Sequence, residues 1–372
     1  MIHAIVDTAE LQKAVRLVSD VPGNFGSMPV LANLLLEASG GKLSVTATDL
    51  EIVFKATVPA ETHTEGTVTV PAKLFRDISS SLNGEVTISE SEDHTVDISS
   101  GRFASSILGL SPDDFPRTEV EFPERLDHLP GPQLGDAIEK ALLTVSANTA
   151  SFNFSGIHMD VRPGAATISS SDSYRLTRVS FDAPGCSTGF AALISKKGAG
   201  ELKAMCERTG EIGVCCDSSS LAAAAQGRII RTRLLEGRFP DCTALVPSGG
   251  TPVALPRAET AAALKRLSHL TGPKSRTLKL DAAPGTFGVS VDNPELGKAS
   301  EELDIGYSGP SFSVMLSSDH LAGAMKALKR SEEFILWYTD EKTPLKVTSN
   351  LEPGFVLVIS TVTPRDGGGF RS

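Results

Sequence analysis

The sequence predicts an α+β protein made of three tandem copies of one β-rich domain, each with two helices. One layout occurs three times: a strand-like run ends in a turn that carries Asp, and a helix start with Lys or Ser follows. Asp49 precedes Lys73 by 24 positions. Asp172 precedes Lys196 by the same interval, and the third copy spans 292–318. The copies repeat about every 120 residues, far more than the period of solenoid repeats, so each should be a whole domain.

Short runs of alternating apolar and polar residues are the second observation. Most are bounded by Gly, Pro, Asn, Asp or Ser, which is typical of antiparallel strands and hairpins. The predicted strands include 42–48, 66–70, 85–89, 95–99, 156–161, 228–234, 278–280 and 334–338. Two amphipathic helices are predicted for each copy, at 8–19, 72–82, 133–147, 197–208, 257–270 and 318–329. Helices beside mainly antiparallel strands indicate an α+β layer pattern.

The repeat and two linker-like stretches divide the chain into domains. The stretches 121–132 and 247–256 are rich in proline and lack periodicity, so they are predicted linkers. The expected domains are 1–122, 123–250 and 251–372, the last ending in a flexible tail at about 364–372. A chain of 372 residues fits three domains of this size.

Composition excludes several classes of protein. No apolar run approaches the roughly 20 residues of a membrane span, and the N-terminal residues show no secretory signal, so a cytoplasmic protein is expected. The five cysteines include no CxxC pair, and the seven histidines are scattered. Neither a disulfide framework nor a zinc site is therefore predicted, and no cofactor is expected. The chain also lacks a Walker-type nucleotide-binding loop.

Positive charge is concentrated on the predicted helices. The net charge of −10 argues against general adhesion to nucleic acid. However, Lys13 and Arg16 share one helix face, Lys73 and Arg76 share another, and many acidic residues lie in turns and strands. This segregation predicts an acidic body with one basic surface, which would bind phosphates without reading sequence. From charge alone, ordinary solvated helix faces remain the alternative.

A family resemblance covers nearly the whole chain. Its carriers are the segments 29–36, 48–51, 70–73, 114–116, 172–176, 235–241, 292–294 and 307–309, in this order and spacing. Together they resemble the bacterial DNA sliding clamp, the beta subunit of the replicative DNA polymerase III. The resemblance implies the clamp fold and a head-to-tail homodimer that closes into a ring around duplex DNA. It also implies a non-catalytic processivity function, with a clamp loader, DNA polymerase and repair proteins as partners.

The resemblance implies two binding sites and a dimer interface. The implied DNA-side residues are Lys13, Lys73, Asn148, Lys196, Lys197 and Lys203. Partner proteins would insert short Leu- and Phe-rich motifs into a pocket formed by Phe154, Ser171, Ser173, Tyr174, Arg175, Leu176, Pro240, Ala244, Leu245, Pro344, Val358, Ser360, Thr361 and Val362. The implied ring interface comprises Arg102, Ser105, Ile107 and Leu270.

The chain departs from the family pattern at each of these places. Phe25 stands where the family often has a basic residue, and Ser105 where it often has an aromatic one. The usual C-terminal Met-Pro-Met-Arg is replaced by residues 360–363, and Ala244 replaces a common Arg. Because flexible thioethers suit promiscuous binding, their loss predicts altered affinity or partner preference. The dimer is expected to be weaker.

Two other functions remain as alternatives. The chain matches Gly-x-Ser-x-Gly at 185–189, the pattern of a hydrolase nucleophile. A nucleophile elbow needs a strand before the serine and a helix after it, and a strand is predicted after it here. The second alternative keeps the fold and changes the biological role. In it, the chain is a divergent second clamp of a phage, a plasmid or a resistance system, with altered partner preference.

Overall fold

The computed structural model describes residues 2–23, 26, 28–117, 122, 126–146, 154–207, 209–272 and 276–362. The helices are α1 (Thr8–Val18), α2 (Ala72–Ser81), α3 (Gly131–Leu142), α4 (Lys196–Cys206), α5 (Arg257–Leu267) and α6 (Ser318–Ala327). The strands are β1 (His3–Asp7), β2 (Asn33–Ser39), β3 (Lys42–Thr48), β4 (Ile52–Pro59), β5 (Glu61–Thr64), β6 (Gly66–Pro71), β7 (Glu85–Glu90), β8 (Thr95–Ser100), β9 (Phe103–Leu108), β10 (Asp127–Pro130), β11 (Gly156–Arg162), β12 (Gly164–Ser171), β13 (Arg175–Ala183), β14 (Phe190–Ser195), β15 (Glu211–Cys216), β16 (Ser220–Ala225), β17 (Arg228–Arg233), β18 (Thr251–Pro256), β19 (Thr277–Ala283), β20 (Thr286–Asn293), β21 (Gly297–Asp304), β22 (Phe312–Ser317), β23 (Glu333–Tyr338), β24 (Leu345–Thr348) and β25 (Phe355–Ile359).

The chain folds into two compact units. The first comprises 1–136, 161–164 and 183–235, and the second comprises 137–160, 165–182 and 236–372. In the first unit one sheet has the strand order β5-β1-β7-β8-β9, and a second sheet has the order β10-β15-β16-β17-β4-β3-β2-β6. In the second unit one sheet contains the succession β11-β12-β13-β25-β24-β23-β18, and another has the order β21-β20-β19-β22.

Local sequence explains where the helices begin. Asp7 caps α1, since its carboxylate accepts hydrogen bonds from the backbone N–H groups of Ala9 and Glu10 at 2.9 and 3.2 Å. Ser195 caps α4 by accepting from the N–H of Gly198 at 3.0 Å. A Cβ on Gly198 would lie 2.4 Å from the Thr232 hydroxyl, so only glycine permits this close contact between helix and sheet.

The repeated turns share one geometry. Asp49 accepts from the N–H groups of Glu51 and Ile52, at 3.1 and 2.7 Å. Asp172 makes the equivalent bonds to the two N–H groups of 174–175, at 3.1 and 2.7 Å. In the third copy the acceptor is Asn293, not Asp292, and its amide oxygen accepts from the N–H groups of 295–296. The repeat is therefore real, but its third polar turn residue lies one position later than the sequence pattern predicts.

Two further expectations are corrected by the structure. Both predicted linkers contain strands, β10 and β18, and each strand lies at an end of its sheet order, where proline is tolerated. The helix predicted at 133–147 begins earlier and ends at Leu142.

Candidate functional sites

A basic groove lies between α1 and α2 of the first unit. It encloses about 510 Å³, and Lys13, Arg16 and Arg76 are among its lining residues. The Gln12 amide fixes the two helices side by side by donating to the backbone carbonyls of the α2 end, at 2.8 and 3.2 Å. Of the two pairs that the sequence placed on shared helix faces, Lys13, Arg16 and Arg76 thus line one groove, and Lys73 is not among its lining residues. Arg16 and Arg76 are absent from the predicted site, although their spacing from Lys13 and Lys73 was the signal for them.

These cations have acidic neighbours at the surface. Lys13 lies 2.6 Å from the Glu10 carboxylate, and Arg76 lies 3.0 Å from that of Asp20. Exposed ion pairs of this kind contribute roughly 0–1 kcal/mol to stability and exchange readily for other partners. Lys73 and Lys196 are exposed. The cations that line the groove, Lys13, Arg16 and Arg76, are therefore not held by strong ion pairs and can bind phosphate groups.

Lys197 is exposed but is held by the first repeated turn. Its ammonium group lies 2.6 Å from the Asp49 carboxylate and donates to the Val21 carbonyl at 2.6 Å. Asp49 itself is buried. Among the predicted DNA-side residues, Lys197 therefore connects α4 to the turn after β3, and its charge is compensated locally. Lys203 is half-buried.

Glu201 is a buried carboxyl group on the same helix. Burial raises its pKa to about 7, and the negative charges of Asp20 and Asp49 act in the same direction, while Lys197 opposes them. Since the helix also carries the predicted phosphate-binding lysines, protonation of Glu201 changes the local charge near neutral pH. Asn148 and Phe25, the other residues considered for DNA contact, lie outside the described residues.

An apolar pocket floor lies in the second unit. Leu176 of β13 and Val358 of β25 are direct register partners, and with Cys242 they form a buried cluster. Phe239, Val246 and Val356 pack against this cluster and are half-buried. The sequence predicted Leu176 and Val358 but missed the other four. Strand alternation was a signal for Val356, which lies two residues before Val358.

Two exposed side chains, Tyr174 and Leu245, lie close in sequence to members of this cluster. The exposed fractions of Tyr174 and Leu245 are 49% and 57%. The backbone carbonyl of Tyr174 accepts from the Ser360 N–H at 2.8 Å, which joins the rim to the strand end that carries the altered C-terminal motif. Large exposed side chains beside an apolar cluster are typical of a site that binds an anchor residue of a partner protein.

Arg175 is engaged within its own turn. Its guanidinium donates to the Asp172 carboxylate at 2.6 and 2.9 Å, which orients the turn that carries Tyr174. The Tyr174 ring lies 6.0 Å from the ring of His320 on α6. Burial lowers the His320 pKa, and the charge of Arg175 lowers it further, so the imidazole is neutral at physiological pH.

The remaining predicted pocket residues occupy varied positions. Ser171 is buried and donates to the Arg175 carbonyl at 2.8 Å, while Ser173 adopts a φ of +75°. The Phe154 ring lies 6.0 Å from that of Phe239, in an edge-on arrangement. Pro240 and Ala244 are exposed. The half-buried members are Pro344, Ser360, Thr361 and Val362, while Thr363 lies outside the described residues.

The predicted interface residues lie on edge strands or next to them. Strand β9 ends its sheet order in the first unit, and β21 ends one in the second. The side chain of Ile107 is only 4% exposed, so it packs inside its own chain, whereas Leu108 is 74% exposed. Phe103 is also exposed, as is Arg102. The exposed Phe103 and Leu108 of β9 are not among the predicted interface residues.

Leu270 and Ser105 have local roles. The Leu270 carbonyl accepts from the Asn293 amide at 2.9 Å, and its side chain is half-buried. The Ser105 hydroxyl is buried without a hydrogen-bond partner among the described residues. Ser105 lies on β9, which ends its sheet order, and the Leu270 contact is to the last residue of β20.

The serine of the Gly-x-Ser-x-Gly match is held by a carboxylate. The N–H and hydroxyl of Ser187 both donate to Asp127, at 2.7 and 3.2 Å, and Thr188 and Gly189 donate to the same group. Burial opposes ionisation of Asp127, but these hydrogen bonds outweigh it and hold its pKa well below the usual range. Strand β14 follows the serine, where an elbow requires a helix. This turn is structural, which excludes the hydrolase reading of the motif.

Among the described residues, no group of three or more His, Cys, Asp or Glu side chains is arranged to hold a metal ion. No helix in the described part of the chain has both the length and the apolar character needed to cross a membrane.

Comparison with known proteins matches the chain along most of its length. Residues 2–119, 128–241 and 245–361 match the N-terminal, central and C-terminal domains of the DNA polymerase III beta subunit. The beta sliding clamp of Pseudomonas aeruginosa is 26% identical over 363 residues, which are 96% of this chain and 99% of that protein. The beta sliding clamp of Proteus mirabilis is 27% identical over 354 residues, or 92% and 95% of the two chains.

Solved structures agree in fold. The DNA polymerase III subunit beta of P. aeruginosa superposes with a TM-score of 0.88 at 25% identity, covering 96% of this chain and 99% of the other. The beta subunit of Thermotoga maritima gives a TM-score of 0.91 at 20% identity, covering 98% and 100%. Three family domains in tandem, on a matching fold, are decisive: the chain belongs to the DNA polymerase III beta subunit family, the bacterial sliding clamps.

Proposed function

We propose that two copies of this chain join head to tail into a closed ring around duplex DNA and tether DNA polymerase to it. The family and the named relatives support this function. A sliding clamp is a non-catalytic processivity subunit, because it supplies a topological link and no reaction. The domains of the proposed clamp are 1–122, 123–250 and 251–372, and action on chromosomal DNA would place the protein in the cytoplasm.

The DNA-facing surface is proposed on the basic helices. Lys13, Arg16 and Arg76 around one groove supply sequence-independent phosphate contacts, and a closed ring needs only such diffuse, salt-sensitive contacts. The proposed set is Lys13, Lys73, Asn148, Lys196, Lys197 and Lys203, extended by Arg16 and Arg76. Within it, Lys197 contributes less than its sequence position suggests, because Asp49 already neutralises it.

The observation that carries the tethering function is the pocket floor of Leu176, Cys242 and Val358 beneath the exposed Tyr174 and Leu245. A buried apolar floor with open, amphipathic rims accepts the Leu and Phe anchors of a short partner motif. The partners proposed here are DNA polymerase, repair proteins and a clamp loader, all reaching this pocket through such motifs. The pocket residues predicted from the sequence remain the proposed contact set.

A fluorescence titration with a Gln-x-Leu-x-Leu-Phe peptide tests this proposal. The intact chain should bind saturably, and Leu176→Asp should abolish binding because it places a charge in the apolar floor. Leu351→Asp is the matched control, since this leucine is 69% exposed and lies in the same unit. Equal binding by the chain and both variants would contradict the assignment of the pocket.

A ring assay tests the topological part. The protein, loaded by a clamp loader, should remain on nicked circular DNA in high salt and slide off after linearisation. The proposed ring interface comprises Arg102, Ser105 and Leu270, with the outward-facing Phe103 and Leu108 in place of the buried Ile107. Equal loss from circular and linear DNA would show that no closed ring forms.

A specialised clamp of a phage, a plasmid or a resistance system is the second candidate. The observation in its favour is the pocket wall of Ser360, Thr361 and Val362, which lacks thioethers. A panel of peptides with different anchors distinguishes the two functions. Preference for an anchor that differs from the common motif would favour the specialised clamp, and preference for the common motif would favour the housekeeping one.

A further inference from the structure

A row of side chains crosses the sheet of the second unit from the pocket to its far edge. Leu176 pairs in register with Val358, which pairs with Lys346, then Trp337 and finally Pro252. Residues paired in this way lie on one face of an antiparallel sheet. The other face is buried core, formed by Thr177, Leu357, Val347, Leu336 and Val253. From the buried pocket floor, this face therefore continues through the half-buried Lys346 and Trp337 to the exposed Pro252.

The far end of this row opens into a groove of about 630 Å³. The floor of the groove is formed by Pro252 and Ala254 of β18 with Ile335 of β23, and one wall is formed by the loop 304–309. Pro252 and Ala254 are exposed, and β18 ends its sheet order. The groove is thus an apolar trough along an edge strand, on the same face as the pocket.

The rim of this groove is acidic. Glu259, Glu333 and Asp304 line it and are all exposed. None of the described residues that line the groove is basic. The cation that comes next along the row, Lys346, is already engaged: its ammonium donates to the Pro247 carbonyl at 2.9 Å and lies 4.5 Å above the Trp337 ring. The groove therefore presents negative charge over an apolar floor.

The two sites are separated by a distance that a peptide can bridge. Three inter-strand steps of about 4.8 Å lead from β25 to β18, a total of about 14 Å. An extended chain advances about 3.3 Å per residue, so about four or five residues bridge the two sites. A partner segment that continues beyond its anchor motif thus reaches the groove without a long loop.

We propose that this acidic groove binds Lys or Arg residues that flank the anchor motif of a clamp partner. Aliphatic stems would lie on Pro252, Ala254 and Ile335 while the charged heads meet the carboxylates, an arrangement that suits long basic side chains. The groove would then add affinity and select among partners that share an anchor motif. This inference rests on the proposed function of the pocket.

Matched peptides test the inference. One peptide carries the Gln-x-Leu-x-Leu-Phe motif alone, two carry it with a five-residue spacer and three lysines on the N- or C-terminal side, and two carry glutamines in place of the lysines. At low salt, the lysine peptide whose extension runs toward the groove should bind about fivefold more tightly than its glutamine counterpart. Two exposed ion pairs would give a gain of this size. The gain should vanish in about 0.5 M salt, because the contacts are exposed.

Charge variants separate this site from general electrostatics. E259Q/E333Q should remove the lysine gain and leave binding of the bare motif unchanged. E85Q/E92Q, with the same change in net charge on exposed residues of the first unit, should retain the gain. A gain that persists in E259Q/E333Q, or is absent for both lysine peptides, would overturn the groove proposal alone. Failure of the bare motif to bind would refute the proposed function and this inference with it.

Discussion

Glu201→Gln should stabilise the protein above neutral pH and leave it nearly unchanged in mild acid. Glu201 is buried on α4, and its pKa is raised to about 7 by burial and by Asp20 and Asp49. The folded state therefore holds the proton more tightly than the unfolded chain does. Between roughly pH 4.5 and 7 stability falls as pH rises, and the cost is complete above that window. Glutamine lacks the charge and so avoids this cost.

The size of the effect follows from the pKa difference. A shift from 4.5 to about 7 corresponds to at most about 3 kcal/mol at pH 8, on the order of 1–3 kcal/mol after relaxation of the site. For a unit of roughly 200 residues this raises Tm by about 3–8 °C. At pH 5 the difference should shrink to less than about 1 kcal/mol, because the native carboxyl group is then protonated in the folded state.

Thermal unfolding of both proteins from pH 5 to 8 measures this difference. Glu207→Gln is the control, since Glu207 follows the same helix but is exposed, so this variant removes a carboxylate that is not buried. If Glu201→Gln lowers Tm at pH 8, the carboxylate charge stabilises the fold through its interaction with Lys197, and the reasoning is refuted. A constant Tm difference across the pH range would also refute it.

Three other substitutions test features of the structure. Asp127→Asn should lower the free energy of unfolding by about 2–4 kcal/mol at pH 7, since it weakens charge-assisted hydrogen bonds to the turn 187–189. This loss should shrink as the pH falls below about 4. Chemical denaturation at pH 7 and at a pH below about 4 measures the difference. Lys140→Met should lower the free energy of unfolding by about 3–5 kcal/mol, because it removes the cation that pairs with the largely buried carboxylate of Glu352. The double variant, which also carries Glu352→Leu, should recover most of that loss. Urea unfolding of the single and double variants measures both free energies. Leu108→Asp should shift the protein from dimer to monomer in light scattering without lowering the stability of the monomer, since this side chain is largely exposed in the single chain. An unchanged dimer would contradict the use of the β9 edge.

The repeat, the fold class and the family were accessible from the sequence because they depend on local chemistry that recurs. Asp49 and Asp172 form the same turn, and any short acceptor at such a position binds the following N–H groups. The third turn was misplaced by one residue, because Asn293 accepts as well as Asp does and composition does not distinguish them. The strands in the predicted linkers were missed because proline normally indicates a loop. In β18, Pro252 and Pro256 are accommodated because this strand lies at the edge of its sheet.

Tertiary structure decided which partners the predicted residues contact. Lys196 and Lys197 are both exposed and adjacent in sequence, yet Lys197 contacts the buried Asp49, which lies 148 positions away in the chain. Likewise, Cys242 joins Leu176 and Val358 only after three distant segments pack together. Sequence patterns record backbone preferences and the side-chain period of each element, which act over a few residues. The ion-pair partner of a lysine or the floor of a pocket depends on residues that only the folded chain brings within contact distance.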